Sequence, residues 1–247
     1  MSSISFDFRG AHVIVTGGTS GIGAATARAF AQAGAQVTIT GTRASLADYD
    51  LADYVSHAVA IRYEPLQLAD ATSIDEFARR VDRIDVLVNN AGHIMPEASF
   101  LDCLKVNLDA VYRLTSALHP KLADSLLESG ASVVNLASMM SFFGSPWLPG
   151  YGAAKAGVVQ LTKTLAAGWA KDGIRVNAVA AGSVPTRMTS KYAEDPEIAA
   201  MVNAKTPMGR WARPEEIAAP ILYLSSPAAS FVTGHTLVAD GGYSIID

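Results

Sequence analysis

The chain has 247 residues, 50% of them hydrophobic and 17% charged, a balance that suits a folded globular protein with a substantial core and argues against an extended disordered chain. Lys and Arg number 19 against 23 Asp and Glu, a net charge of -4, so there is no electrostatic footprint for nucleic acid, although phosphates can still be bound locally. The one cysteine, Cys103, can form no intramolecular disulfide and reads as a small buried hydrophobe, which leaves any redox chemistry to a cofactor.

The start, Met1 through Arg9, has no basic segment followed by an apolar run, and the later apolar stretches are interrupted too often to span a membrane. A cytoplasmic protein without a membrane partner is the expectation. The first strand reads Ala11 to Thr16 and gives way to a glycine-rich turn, a helical run from Ile22 to Ala33 closed by Gly34, and a second strand at Val37 to Thr40. Ala44 to Tyr63 carries no decisive pattern. A helix is predicted over 73–81, then an apolar strand, Val86-Leu87-Val88, running into Asn89-Asn90-Ala91-Gly92. Further helices are predicted over 102–118, 151–170 and 214–225, with strands at Ala131 to Leu136, Ile174 to Val179 and Gly234 to Asp240.

Short apolar strands between helices fit a parallel sheet covered on both faces. The predicted fold is therefore α/β, a single doubly wound Rossmann-type domain over 1–247 with a mainly parallel sheet. Pro146, Pro149 and Pro185 read as loop punctuation. The stretch from about 183 to 213 either covers a ligand cleft or simply carries the chain between elements.

Thr16-Gly17-Gly18-Thr19-Ser20-Gly21-Ile22-Gly23 lies where the first strand becomes the first helix. Gly17 permits a tight turn, Gly21 lets the backbone approach a pyrophosphate, and Gly23 lets the helix pack close to the sheet. The first amides of the helix, with a hydroxyl from Thr19 or Ser20, would face the anion. The spacing differs from G-x-G-x-x-G and no P-loop lysine is present, which makes an ATPase a poor reading. Dinucleotide binding is the stronger one, with a structural turn or another nucleotide-binding fold, such as a methyltransferase, left open by these residues alone.

Tyr151-Gly152-Ala153-Ala154-Lys155 is the most informative local pattern, because in a helix a spacing of four puts Tyr151 and Lys155 on one face. A nearby lysine charge is expected to lower the tyrosine's proton affinity toward the range of general acid/base work. Ser138 stands at the carboxyl end of a strand, the edge where ligands meet a parallel sheet, with a hydroxyl able to donate to a carbonyl oxygen. Asn107 either binds ordered water or a helix carbonyl near Lys155, or is a locally satisfied helix asparagine.

Over almost its entire length the sequence resembles the classical short-chain dehydrogenase/reductase family. The glycine-rich segment is similar to its cofactor motif, and Asn89-Asn90-Ala91-Gly92 is similar to the motif that supports the adenine side and the central sheet. Asn107, Ser138, Tyr151 and Lys155 match its catalytic tetrad in order and spacing. The resemblance implies that a nicotinamide exchanges hydride while Tyr151 exchanges the proton with the substrate oxygen, which Ser138 polarises. Lys155 would hold the nicotinamide ribose and tune Tyr151, and Asn107 would support a water relay to solvent. Cofactor contacts are implied at Gly17, Thr19, Ser20, Gly21, Ile22 and Gly23, at Thr42 and Arg43, at Asn89, Ala91 and Gly92, and at Gly182, Val184 and Thr186, beside Tyr151 and Lys155.

Two departures from the family stand out. Ala181 occupies the place of a proline that opens the nicotinamide-side loop, an exchange expected to loosen that loop. Gln67 stands where many relatives place an aspartate near adenine, and Asp70, three positions on, does not inherit that role. At the end of the second strand Gly41 supplies no carboxylate to pair with free ribose hydroxyls, whereas Arg43 offers a charge-assisted fork to a phosphate, with Thr42 as a smaller donor. NADP(H) is the favoured cofactor. NAD(H) is the alternative, should Arg43 point into solvent and Asp48 or Asp50 fold back to the ribose.

Substrate walls are expected from Met139 through Gly144, from Pro146, Trp147 and Leu148, and from His93, Ile94 and Met95, with Met188 and Tyr192 on a cover; each of the apolar side chains serves equally well as core. The inventory favours a moderately apolar alcohol or carbonyl. His93 reads as structural or substrate-orienting, His12 and His57 carry no functional signal, and no spacing supports a metal. The alternatives are an NAD-dependent polyol or secondary-alcohol dehydrogenase and a catalytically weak dinucleotide-binding regulatory protein. The resemblance further implies a homotetramer, through apolar faces on the helices beginning near Asp102 and Tyr151 and through the terminal Tyr243 to Ile246.

Overall fold

The computed structural model describes residues 5–49, 61–94 and 99–246. Asp50, His57 and Met95, each singled out above, lie outside them. Seven strands form one parallel sheet in the order β3-β2-β1-β4-β5-β6-β7. Their ranges are His12–Val15 for β1, Gln36–Gly41 for β2, Ile61–Pro65 for β3, Val86–Asn89 for β4, Ala131–Ser138 for β5, Ile174–Ala181 for β6 and Thr236–Ala239 for β7. The helices are α1 Gly21–Gln32, α2 Ala71–Arg80, α3 Phe100–Leu104, α4 Ala110–Ala123, α5 Pro149–Trp169, α6 Ser190–Ala193, α7 Pro196–Lys205 and α8 Pro214–Ser225.

The period of two in β1 sorts its side chains between two cores: Val13 and Val15 join Phe30, Ile39, Ile217 and Ile221 under α1 and α8, while Ile14 joins Ile74, Phe77, Leu114 and Leu118 under α2 and α4. β4, β5 and β6 are buried along their whole lengths because helices cover both faces, which is why their sequences read as nearly unbroken apolar runs. The polar residues inside them are paired. Asn89, in register with Asn135, donates to the Asn135 Oδ1 and to Thr115 Oγ1 of α4, each at 2.8 Å, and Asn135 donates to Thr162 Oγ1 of α5 at 3.0 Å. This chain of hydrogen bonds fixes α4 and α5 against the sheet. Strand order reverses between β1 and β4, so the carboxyl ends of these strands open the cleft in which such folds bind ligands.

Three features differ from the sequence reading. The helix predicted over 102–118 is interrupted by a π-helical turn at Lys105–Asp109, between α3 and α4. β3 begins at the end of the stretch that lacked a pattern and runs past it; its half-buried Ile61–Pro65 lies at the edge of the sheet, so no apolar run announces it. The connection over 183–213 contains α6 and α7, neither with a buried residue, and so without the apolar stripe that marks a helix.

Candidate active site

The glycine turn leaves β1 and enters α1 under close constraint. Gly17 and Gly21 adopt φ of +63° and +54°, conformations that favour glycine. A Cβ at Gly17 would lie 2.9 Å from the Ala91 Cα, and one at Gly23 would lie 2.4 Å from the Gly17 carbonyl oxygen. Thr16 Oγ1 accepts from the amides of Asn90 and Ala91, both at 3.0 Å, while the Asn90 Nδ2 donates to the carbonyls of Thr16 and Gly17. Asn90 therefore clamps the turn, and Asn89 spends its amide hydrogens on Asn135 of β5 and Thr115 of α4. Thr19 is buried, and Ser20, the N-cap of α1, makes no side-chain capping bond.

Ser138 ends β5 and begins a 3-10 turn, Met139–Ser141, where its Oγ accepts the Met140 amide at 3.2 Å. That bond occupies the oxygen and aims the hydroxyl proton elsewhere, and the Ser138 side chain hydrogen-bonds the Tyr151 phenol. α5 presents Tyr151 and Lys155 one turn apart, as the spacing predicted. Lys155, only 4% exposed, sits with Nζ 5.7 Å from the centroid of the Tyr151 ring and donates to the Leu136 carbonyl at 2.5 Å. Gly150 lets α5 approach α3, since a Cβ there would lie 2.9 Å from the Cys103 Cβ.

Asn107 lies in the π-helical turn, fully buried. Its Oδ1 accepts from the His93 amide and its Nδ2 donates to the carbonyls of His93 and Cys103, all at 3.0 Å. It thus joins the helix to the segment after β4. Gly92 fills the space between: a Cβ there would lie 2.7 Å from Asn107 Oδ1 and 3.6 Å from Lys155 Nζ. All four residues of the expected tetrad come together at the carboxyl edge of the sheet.

The electrostatics correct one expectation. Burial pushes the Tyr151 phenol up to about 12, and the opposing hydrogen bond from Ser138 does not offset it. Burial likewise pushes the Lys155 ammonium down to about 8, against a smaller opposing effect of Cys103. The anticipated lowering of Tyr151 by Lys155 is absent: with its own proton affinity depressed to about 8, the lysine is already neutral where the phenol titrates, and loss of water penalises the tyrosinate directly. The Cys103 thiol, also buried, is pushed up by burial, as suits a packed side chain rather than a nucleophile.

At the end of the sheet expected to take the adenosine, a Cβ at Gly41 would lie 2.5 Å from the Tyr49 hydroxyl, so Tyr49 occupies the place a larger side chain there would need. The Arg43 amide donates to that hydroxyl at 2.9 Å, and the Arg43 guanidinium carbon stands 4.8 Å from the Tyr49 ring centroid. Asp48 accepts the Ser45 amide in a capping box. Gln67 Nε2 donates to the Thr42 carbonyl at 2.6 Å, and Asp70 caps α2 through the Thr72 amide.

On the opposite side Ala181 completes β6, in register with Ser138 and Ala239, and a Cβ at Gly182 would lie 2.7 Å from the Asp240 Cα. A hydrogen-bonded loop follows. Thr189 ties it, donating to the Val184 carbonyl at 2.5 Å and accepting the Thr186 amide at 2.9 Å. Thr186 reaches over the glycine turn, for a Cβ at Gly21 would lie 2.8 Å from its Cγ2. Asp240, unmarked in the sequence reading, organises the final turn by accepting the amides of Gly242 and Ser244. That turn sets the Tyr243 ring 5.5 Å from Phe143, adding a C-terminal wall beside the Met139–Ser141 turn. Trp147 is 76% exposed, at the rim rather than in the core. Among the described residues, no cluster of His, Cys, Asp and Glu has the arrangement of a metal site, and no helix is long and apolar enough to cross a membrane.

The family profile described as enoyl-(acyl carrier protein) reductase matches residues 17–244. The 3-oxoacyl-(acyl-carrier-protein) reductase of Thermotoga maritima is 38% identical over 247 residues, 94% of this chain and 97% of that protein. Galactitol 2-dehydrogenase (L-tagatose-forming) of Cereibacter sphaeroides is 38% identical over 256 residues, 97% of either chain. Among solved structures, the Pseudomonas aeruginosa RhlG/NADP active-site complex is similar with a TM-score of 0.88 and 33% identity, covering 97% of this chain and 98% of that one. Agreement of sequence and fold over nearly the whole length leaves one assignment: the chain belongs to the short-chain dehydrogenase/reductase family.

Proposed function

We propose that the chain is an NADP(H)-dependent oxidoreductase that interconverts a secondary alcohol and a ketone or related carbonyl by hydride transfer. The observation that carries this reading is the convergence of Ser138, Tyr151, Lys155 and Asn107 beside a glycine cradle at the carboxyl edge of the sheet. The turn fits a dinucleotide, because it keeps its close backbone path only with glycine at Gly17, Gly21 and Gly23, where a side chain would collide with Ala91, Thr186 and the Gly17 carbonyl. Ser20, Thr19 and the amides of Gly21, Ile22 and Gly23 would hold the pyrophosphate. Ala91 and Gly92 would line the ribose side, Thr42 and Arg43 the adenosine phosphate, and Gly182, Val184 and Thr186 the nicotinamide. Asn89 acts as a positioning residue through the sheet.

When bound, the nicotinamide supplies or accepts the hydride. Tyr151, whose proton is retained well above neutral pH, donates it to the substrate oxygen during carbonyl reduction and recovers it from solvent afterwards. Ser138 polarises that oxygen with a hydroxyl already oriented by the Met140 amide. Lys155 fixes the nicotinamide ribose, and Asn107 holds the His93 backbone and the helix turn from which a water relay would run. Preference for NADP(H) is supported by the missing carboxylate at Gly41, the place taken by Tyr49, and the capping role of Asp48. A relative solved with NADP in its active site points the same way.

The substrate inferred is moderately apolar, on the strength of Phe143, Tyr243 and the exposed Phe142 and Trp147, with the segment over about 183–213 as its cover and the whole 1–247 as one domain. A homotetramer is inferred from exposed Phe100, Leu101 and Tyr112 near α3 and α4 and from Ile245 and Ile246 at the end of the chain; constant monomer mass across dilution would refute it. Cytoplasmic residence is inferred with the support of a lone, unpaired thiol at Cys103. The direct test of function is consumption of NADPH with aliphatic ketones, aryl ketones and ketoses. Deuterium from the reduced nicotinamide should appear on the product carbinol carbon. Tight cofactor binding without turnover across the panel would refute an enzyme and favour a binding protein.

A further inference from the structure

The segment after β6 brings a second cation to the adenosine end of the cleft. Arg187 follows Thr186 in the loop that Thr189 ties down, and its guanidinium carbon stands 6.0 Å from the centroid of the Tyr49 ring. Arg43 approaches the same ring from the end of β2, at 4.8 Å. The ring is held in place: Tyr49 is 7% exposed, its hydroxyl accepts the Arg43 amide, and the Tyr63 hydroxyl donates to the Arg43 carbonyl. Both guanidinium groups are exposed, and neither forms an ion pair among the described residues.

Two like charges gathered on one aromatic side chain repel each other, and their convergence is favourable where an anion is bound between them. The place is where the adenosine ribose of a dinucleotide would lie, because Gly41 and Thr19 meet at Tyr49 and the glycine cradle is adjacent. An NAD(H) ribose offers no charge there. An NADP(H) ribose offers a phosphate dianion.

We propose that Arg187 is the second cation of the adenosine 2′-phosphate subsite, a specificity-determining residue delivered by the cover segment rather than by the β2 end that carries Arg43. The proposal rests on the NADP(H) reading above and deepens it. It has a structural consequence: the loop that contacts the nicotinamide side through Thr186 also reads the phosphate at the other end of the cofactor, so its docking depends on which dinucleotide is bound.

The test is equilibrium titration of purified cofactor-free protein with NADPH and NADH, and with adenosine 2′,5′-bisphosphate and adenosine 5′-monophosphate, for the parent, Arg43→Ala, Arg187→Ala and Arg187→Lys. Loss of one charge-assisted contact predicts about a tenfold weaker NADPH and bisphosphate affinity in Arg187→Ala, with NADH and the monophosphate changed less than about twofold. Arg187→Lys should fall between, since the charge remains and the fork is lost. A parent that binds NADH as tightly as NADPH overturns the cofactor reading, and this inference with it. A parent selective for NADPH whose selectivity falls in Arg43→Ala but not in Arg187→Ala leaves the reading standing and overturns the inference. Equal losses for both dinucleotides in Arg187→Ala would also overturn it, by assigning the side chain to the shared pyrophosphate.

Discussion

Replacing Lys155 by Met should stabilise the cofactor-free protein while destroying its ability to orient a nicotinamide ribose. The ammonium is buried, and burial lowers its proton affinity from the ordinary 10.5 to about 8. At about 1.4 kcal/mol per pH unit, holding the charge at neutral pH costs the fold about 3 kcal/mol. Met removes that cost and keeps most of the volume, but gives up the hydrogen bond to the Leu136 carbonyl, worth about 1 kcal/mol. The balance is a gain of about 2 kcal/mol at pH 7. Because the lysine binds its proton less tightly in the fold than in the unfolded chain, the unfolded chain holds the extra proton between about pH 8 and 10.5. Parent stability from this group therefore rises with pH across that window, and the variant lacks the effect. Urea unfolding of both proteins at one concentration should show the variant ahead at pH 7 and the gap nearly closed at about pH 9.5. Tyr151, pushed up to about 12 chiefly by burial, is common to both proteins and titrates above the window. A variant less stable than the parent at pH 7, or a gap independent of pH, would refute the burial argument.

Other positions test the cradle and the buried polar framework. Gly23→Ala places a Cβ 2.4 Å from the Gly17 carbonyl and 2.5 Å from Asn90 Nδ2, so NADPH affinity in a direct titration should fall by about tenfold or more; unchanged affinity would show that the turn is not the pyrophosphate site. Asn107→Leu removes the hydrogen bonds that Asn107 makes to the His93 amide and to the His93 and Cys103 carbonyls, which predicts a loss of about 1–3 kcal/mol in thermal or urea unfolding together with slower turnover. Full stability in that variant would reduce the asparagine to a bystander. Asn135→Val breaks the link between Asn89 and Thr162 and should cost stability by a similar amount, with little change in cofactor affinity if the network only braces α4 and α5.

The sheet was legible because β4, β5 and β6 are apolar on both faces, and the reacting face of α5 because a spacing of four has one meaning in a helix. The π-helical turn around Asn107 was hidden because it adds one residue without disturbing the apolar pattern on either side. The two asparagines of the motif that ends β4 divide their work by alternation: Asn89 turns to Thr115 and Asn135, and Asn90 reaches the glycine turn. Tyr49 was out of reach, since spacing along an irregular loop does not say that it folds back on Gly41. The sign of the Tyr151 shift was missed for a related reason. Sequence proximity told of the lysine, while the desolvation that sets the shift depends on everything packed around the phenol.

The central claim is that Tyr151 carries the proton in a hydride transfer. Its most direct test is single-turnover reduction of a ketone substrate by Tyr151→Phe at saturating NADPH, with cofactor affinity measured on the same protein. Loss of the phenolic proton should slow the hydride step by about 10²–10⁴-fold while the NADPH dissociation constant changes less than about threefold, because the ring and its packing remain. A hydride-transfer rate close to that of the parent would contradict the account.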